Sequence, residues 1–157
     1  MPGWFPTAIA LLPALLYAQD TQQEQLSANR AKWDALRIAS YSFTLWLEGQ
    51  WNPGPPIRLL VKDGKLVSAH VLQYSFVRKG AEAELEVREG AEADAQGLPS
   101  TVPELFRLAA ESLAEPDSRA RVYFHSEFGL PLRIELNQLG NPDGIGGYFV
   151  SDFVALE

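Results

Sequence analysis

The chain contains no cysteine, which excludes disulfides, thiolate metal sites, a thiol nucleophile and a lipid-bearing N-terminal cysteine. Histidine occurs only twice, at His70 and His125, too few for a common structural zinc site without carboxylate help. Positive charge is scarce as well. Thirteen Lys and Arg stand against 20 Asp and Glu, a net charge of −7. A surface of that sign repels phosphate backbones and has no polybasic attraction for anionic headgroups, so a nucleic-acid partner is not expected. There is no Gly-x-Ser-x-Gly elbow, no His-Glu-x-x-His pair and no phosphate-cradling glycine loop. No cofactor and no metal are expected, and the reading favours a protein that is not an enzyme.

What is present is the material of one folded domain. At 157 residues, with 46% apolar and 21% charged residues, the chain matches globular composition. The segment 4–18 carries no charge and gives way abruptly to the polar run Gln19-Asp20-Thr21-Gln22-Gln23. Fifteen apolar residues suit the core of a signal peptide better than a membrane span. Residues 1–18 are therefore read as an export signal ending at Ala18, and 19–157 as a single domain that is exported, periplasmic or extracellular. No Lys or Arg precedes the apolar core, a departure from the usual signal pattern. The competing reading is a short apolar helix packed on the domain.

Residues 21–38 are helical in composition, with Leu26, Trp33 and Leu36 on one stripe. Tyr41 to Glu48 alternates with period two, which predicts a strand with Tyr41, Phe43, Leu45 and Leu47 inward. A Pro- and Gly-rich loop follows over 49–56, then a strand through Ile57, Leu59 and Val61. Asp63-Gly64 accepts the positive φ of a two-residue hairpin turn, and the returning strand runs from Leu66 to Val77. Residues 81–89 place Ala83, Leu85 and Val87 opposite Glu82, Glu84 and Glu86, an edge-strand pattern that alanine and glutamate could also spend on a helix. After a polar linker at 91–99, Thr101-Val102-Pro103-Glu104 has capping-box spacing and opens a helix with Leu105, Phe106, Ala109 and Leu113 inward. Strands are predicted over 121–128, through Leu132, Ile134 and Leu136, and over 147–155. Asn141-Pro142-Asp143-Gly144 reads as a turn. The expected fold class is α+β: an antiparallel sheet of six to seven strands with two helices on one face. The two halves read as a duplicated helix-plus-meander unit, with 41–71 echoing 122–154.

The pieces Trp33, Tyr41-Ser42-Phe43, Val61 to Val67, Thr101 to Phe106 and Tyr123 through Gly129-Leu130-Pro131 to Ile134, with Asp143 and Phe153, come in a characteristic order. In that order and spacing the chain resembles the bacterial domain-of-unknown-function family 6174, whose members are small exported or lipid-anchored envelope proteins. The resemblance covers about residues 31–153. It implies compartment and approximate fold, and a freely soluble mature form, since the family's anchoring cysteine is absent. It carries over no catalytic residue.

Aromatic surface remains as a source of function. Trp46 lies on the face of its strand opposite Tyr41 and Phe43, Trp51 lies in the loop just beyond, and Tyr123 and Phe149 fall on comparable positions of later strands. Exposed aromatics on a sheet are natural contact points, so Trp46, Trp51 and Tyr123 are the candidate binding residues, and the bland alternative is that a helix or loop covers them. The expected function is a non-enzymatic binding or interaction module whose partner is an envelope protein or a small molecule. The alternatives are a carrier of a small apolar ligand and a carboxylate hydrolase using Glu135 and Asp152. His125-Ser126-Glu127 is set aside as a triad, because neighbours on a strand point to opposite faces. The acidic run Glu82, Glu84, Glu86, Glu89, Glu92, Asp94 reads as a solvated face.

Overall fold

A computed structural model describes residues 11–49, 54–116, 118–136 and 145–157. Trp51 and the Asn141–Gly144 turn lie outside the described residues. Two helices and seven strands follow in the order α1 (Leu11–Leu36), β1 (Tyr41–Gly49), β2 (Ile57–Lys62), β3 (Lys65–Lys79), β4 (Glu82–Glu92), α2 (Val102–Ala114), β5 (Arg121–Phe124), β6 (Pro131–Glu135) and β7 (Ile145–Ala155). The strands form one antiparallel sheet in the order β4-β3-β2-β1-β7-β6-β5. This is the α+β class that the alternation and the short turns require. The join between the halves is non-local: β1 lies beside β7, so Trp46 faces Phe149 across more than a hundred residues of chain.

Local chemistry explains most of the elements. Asp63 (φ 49) and Gly64 (φ 74) both hold positive φ, the geometry of the tight hairpin turn that joins β2 to β3. That turn is tied to the α1–β1 connection, where the Gly64 amide donates to the Ala39 carbonyl and the Asp63 amide to Ser40 Oγ. At the start of α2 the capping box is formed. Thr101 Oγ1 accepts from the Glu104 amide at 3.4 Å, and Glu104 Oε2 accepts from the Thr101 amide at 3.0 Å. The same carboxylate oxygen also takes the Ser100 amide and hydroxyl, at 2.8 and 2.9 Å.

The core lies between one face of the sheet and the helices. Tyr41, Phe43, Leu45, Leu59 and Val61 from the sheet meet Leu26 and Trp33 of α1 and Leu105, Phe106, Ala109 and Leu113 of α2. Trp33 makes edge contacts with Tyr41 and Phe153, at ring separations of 5.5 and 5.8 Å. The Tyr41 hydroxyl, buried, accepts the Val102 amide at 2.9 Å and so fixes the first turn of α2 to the sheet. Gly129 (φ 75) sits against α1: a Cβ there would lie 2.7 Å from the Asn29 carbonyl oxygen, so only glycine allows this turn to touch the helix.

Several expectations need correction. The first helix begins at Leu11 rather than residue 21 and ends at Leu36, and Leu36 is 45% exposed instead of sharing the buried stripe of Leu26 and Trp33. Ten residues at 100° each bring Leu36 to about 80° from Leu26 and so off the core-facing line, whereas Trp33 falls within about 20° of it. The strand expected over 121–128 stops at Phe124, and His125–Phe128 turns back on itself. The segment 93–99 is no free linker, because Ala93, Ala95 and Leu98 pack against the core and Pro99 is buried. The 82–92 segment is a strand and lies at the sheet edge, but its solvation extends to both faces.

Candidate functional site

The helices cover one face of the sheet, and the other face carries the candidate residues. On β1, Tyr41, Phe43 and Leu45 point to the core, so Ser42, Thr44 and Trp46 point away from it. Cross-strand register places Trp46 opposite Phe149, Phe149 opposite Arg133 and Arg133 opposite Tyr123. Directly opposed residues share a face, so these four side chains form one row across β1, β7, β6 and β5. Tyr123 is 46% and Phe149 37% exposed, and Trp46 is half-buried.

The row continues past β1. Strand β2 starts only at Ile57, and β3 runs beyond that start, where the Leu72 amide donates to the Pro56 carbonyl. Tyr74 therefore reaches over to stack on Trp46, at 5.8 Å between ring centroids and 28° between planes. Leu72, two residues earlier on the same side, is buried apart from the main core cluster. The sequence reading missed Tyr74. Its period-two spacing from Leu72 was visible, but the short start of β2 that opens a path to Trp46 was not.

Polar groups are fixed between the rings. Trp46 Nε1 donates to Ser151 Oγ at 2.9 Å, and Ser151 Oγ donates to Asp152 Oδ2 at 2.9 Å. Asp152 in turn lies 3.9 Å from the Arg58 guanidinium. A bulge creates this arrangement. Ser42 pairs with Val154 and Thr44 with Ser151, so two residues of β7 oppose one of β1, and Asp152 takes φ 51. The extra residue inverts the alternation, leaving Ser151 and Asp152 outside while Phe153 turns in to Trp33 and Tyr41. Farther along the row Arg133 is held by Glu48 at 3.1 Å and by Glu135 at 3.5 Å. Beneath the row Thr44, fully buried, has Oγ1 without a hydrogen-bond partner among the described residues. Burial raises the Tyr74 phenol above its ordinary value of 10.0; the Asp152 charge adds to the rise and Arg58 opposes it.

This face offers ring surfaces, hydrogen-bond donors and the guanidinium groups of Arg133 and Arg58 at fixed spacing. His125 Nδ1 accepts from the Glu127 and Phe128 amides at 3.1 and 3.3 Å, so the ring closes its own turn. Glu135 opposes Gly147 on β7, five residues from Asp152, a separation of roughly 16 Å along a strand. Among the described residues no group of three or more His, Asp and Glu could hold a metal ion. None of the described helices is long and apolar enough to cross a membrane. A groove of about 450 Å³ lies between α1 and β5, lined largely by polar side chains including Gln22, Gln25, Asn29, Arg121 and His125.

No curated protein and no solved structure matches the chain. A family match extends over residues 25–155, from the middle of α1 to the last residue of β7, and so takes in every strand and α2. The chain belongs to the family of unknown function DUF6174.

Proposed function

We propose that the chain is an exported, periplasmic or extracellular, non-enzymatic binding module whose contact surface is the helix-free face of the sheet. The observation that carries this reading is the row of Tyr123, Arg133, Phe149, Trp46 and Tyr74, ring surfaces and a cation presented together on a face that the helices leave open. Aromatic and arginine side chains are the residue types that dominate binding energy at interfaces. The fixed polar chain Trp46–Ser151–Asp152–Arg58 supports it further, because it pre-orients donors and acceptors at little entropic cost on binding. Trp51, outside the described residues, belongs to the same proposal by its place in the sequence just after β1. An apolar-ligand carrier finds less support, since the groove between α1 and β5 mixes Gln22, Gln25, Asn29 and Arg121 with Val122 and Phe124 and so lacks a predominantly apolar lining.

The test is capture from envelope extract by the immobilised mature chain, compared with Phe149→Ala/Tyr123→Ala. Both residues are exposed, so the variant keeps the fold. Specific capture is expected to fall at least about ten-fold, the equivalent of ~1.4 kcal/mol. Equal capture by both forms overturns the assignment of the face. Export is tested separately by N-terminal sequencing of the secreted product, where Gln19 is expected and an intact Met1 refutes the signal.

A further inference from the structure

Beyond residue 72 the β3–β4 pair leaves the body of the sheet. β2 starts at Ile57, paired with Val71, so among the described residues the stretch of β3 from 73 to 79 has β4 as its one strand neighbour, and β4 is the terminal strand of the sheet. Tyr74 faces Val87 and Phe76 faces Leu85, so four apolar side chains share one side of this arm. Tyr74 is 40%, Phe76 79%, and Leu85 and Val87 each 49% exposed. On the opposite side Glu82, Glu84 and Glu86 alternate with them. The turn has two residues, Gly80 and Ala81, between the paired Lys79 and Glu82. In such a hairpin the flanking pair exchanges both ladder bonds, so by alternation Ala83, Leu85 and Val87 direct their N–H and C=O groups away from β3. A ladder of unpaired backbone groups flanked by exposed apolar side chains is a template for another strand.

The charge pattern selects the strand. β4 holds five glutamates and one arginine, so a second copy of β4 laid against the first would bring glutamate against glutamate, and like charges opposed on a sheet are destabilising. We infer that the free edge of β4 receives an extended basic segment of a partner protein by strand addition, with alternate Lys or Arg facing the acidic side at Glu82 and Glu84, beyond the Glu86–Arg88 pair, and the intervening apolar residues joining Phe76, Leu85 and Val87. Main-chain bonds give such a complex its affinity, and the alternating side chains give it selectivity. The arm shares Tyr74 with the Trp46 row, but the variants that test the edge, at Glu82, Glu84 and Leu85, leave Phe149 and Tyr123 untouched, so failure of one surface is distinguishable from failure of the other.

A fluorescein-labelled eight-residue peptide alternating Lys and Val, titrated with the full chain by fluorescence polarisation, tests this directly. Saturable binding is expected, weakening as salt rises from about 0.05 to 0.5 M. A peptide alternating Glu and Val should bind at least about ten-fold more weakly. Leu85→Pro deletes an outward N–H and spares the bonds to β3, and it should cost at least about ten-fold in affinity. Glu82→Lys/Glu84→Lys changes only exposed side chains and should reverse the preference between the two peptides, so the result does not depend on Leu85→Pro folding. Circular dichroism confirms each variant's fold. The inference is overturned if the Glu–Val peptide binds equally, or if a Lys peptide with proline at every second position, unable to pair as a strand, binds as well as the Lys–Val peptide. It is also overturned if sedimentation shows a dimer that Leu85→Pro dissolves, or if phosphatidylcholine vesicles bind through Phe76 while the peptide does not.

Discussion

Tyr41→Phe isolates one oxygen atom that couples the sheet to α2. The Tyr41 ring is buried in the core and its hydroxyl accepts the Val102 amide at 2.9 Å. Phenylalanine keeps the ring contacts with Trp33, Phe43 and Phe153 but leaves a fully buried N–H unpaired. An orphaned buried donor costs about 1–3 kcal/mol. For a domain of this size each kcal/mol is worth about 2–4 °C in Tm, so a drop of roughly 2–12 °C is expected. Urea unfolding followed by tryptophan fluorescence should show a lower midpoint with an unchanged slope, because the area exposed on unfolding is unaltered. Hydrogen exchange should quicken at the Val102 end of α2. The variant also changes the response to alkali. Burial, the largest cause, raises the Tyr41 phenol above 10.0; the Glu104 charge adds to the rise and the bond from Val102 opposes it. The folded chain thus holds the phenol proton more tightly than the unfolded chain. That stability is fully present below the unfolded value near 10 and is lost as pH rises through the folded one. Tyr41→Phe should flatten this loss. A destabilisation below about 0.5 kcal/mol, or an alkaline slope identical to wild type, would refute the role given to the hydroxyl.

Four further substitutions separate other contributions. Glu104→Ala should cost more than Thr101→Ala in thermal denaturation, about 1–2 against under 1 kcal/mol, because one Glu104 oxygen takes three donors whereas the Thr101 bond is long at 3.4 Å; equal losses would count against that reading. Gly129→Ala should cost more than about 1 kcal/mol from its left-handed backbone alone, and the 2.7 Å approach to the Asn29 oxygen should add a visible shift of α1 in chemical-shift mapping. Thr44→Val keeps the shape and removes a buried hydroxyl that has no partner among the described residues, so chemical denaturation should show equal or higher stability; a loss beyond about 1 kcal/mol would mean that the hydroxyl is engaged.

Much of the fold is legible where a single residue type answers a local demand. Asp63-Gly64 announces its turn because positive φ excludes most side chains, and Thr101 with Glu104 announces α2 because helix amides need acceptors. The period-two stripe of Tyr41, Phe43 and Leu45 fixes which face of β1 is wet, and with it the side on which Trp46, Phe149 and Tyr123 meet. What stays hidden is set by distant pairing. The neighbour of β1 is β7, more than a hundred residues away, and no local pattern specifies it. The bulge at Asp152 reverses the alternation of β7 through register with β1, so Phe153 turns inward against a simple count. Leu72 and Tyr74 share a side, but their contact with Trp46 depends on where β2 begins. Residues 82–92 mislead for another reason: with both faces wet, neither strand nor helix leaves a buried stripe.

The two ends of the sheet are finished differently. At β5 the Val122 amide is already taken by Gln22 Oε1 at 2.8 Å, and Lys32 Nζ of the same helix holds the Ser126 carbonyl. Helix α1 thus acts as a stopper on that margin, while no described residue plays that part at β4. Head-to-tail growth of a continuous sheet needs two receptive ends in every unit. With one margin stopped in this way, an assembly built on the β4 margin would end after a single addition.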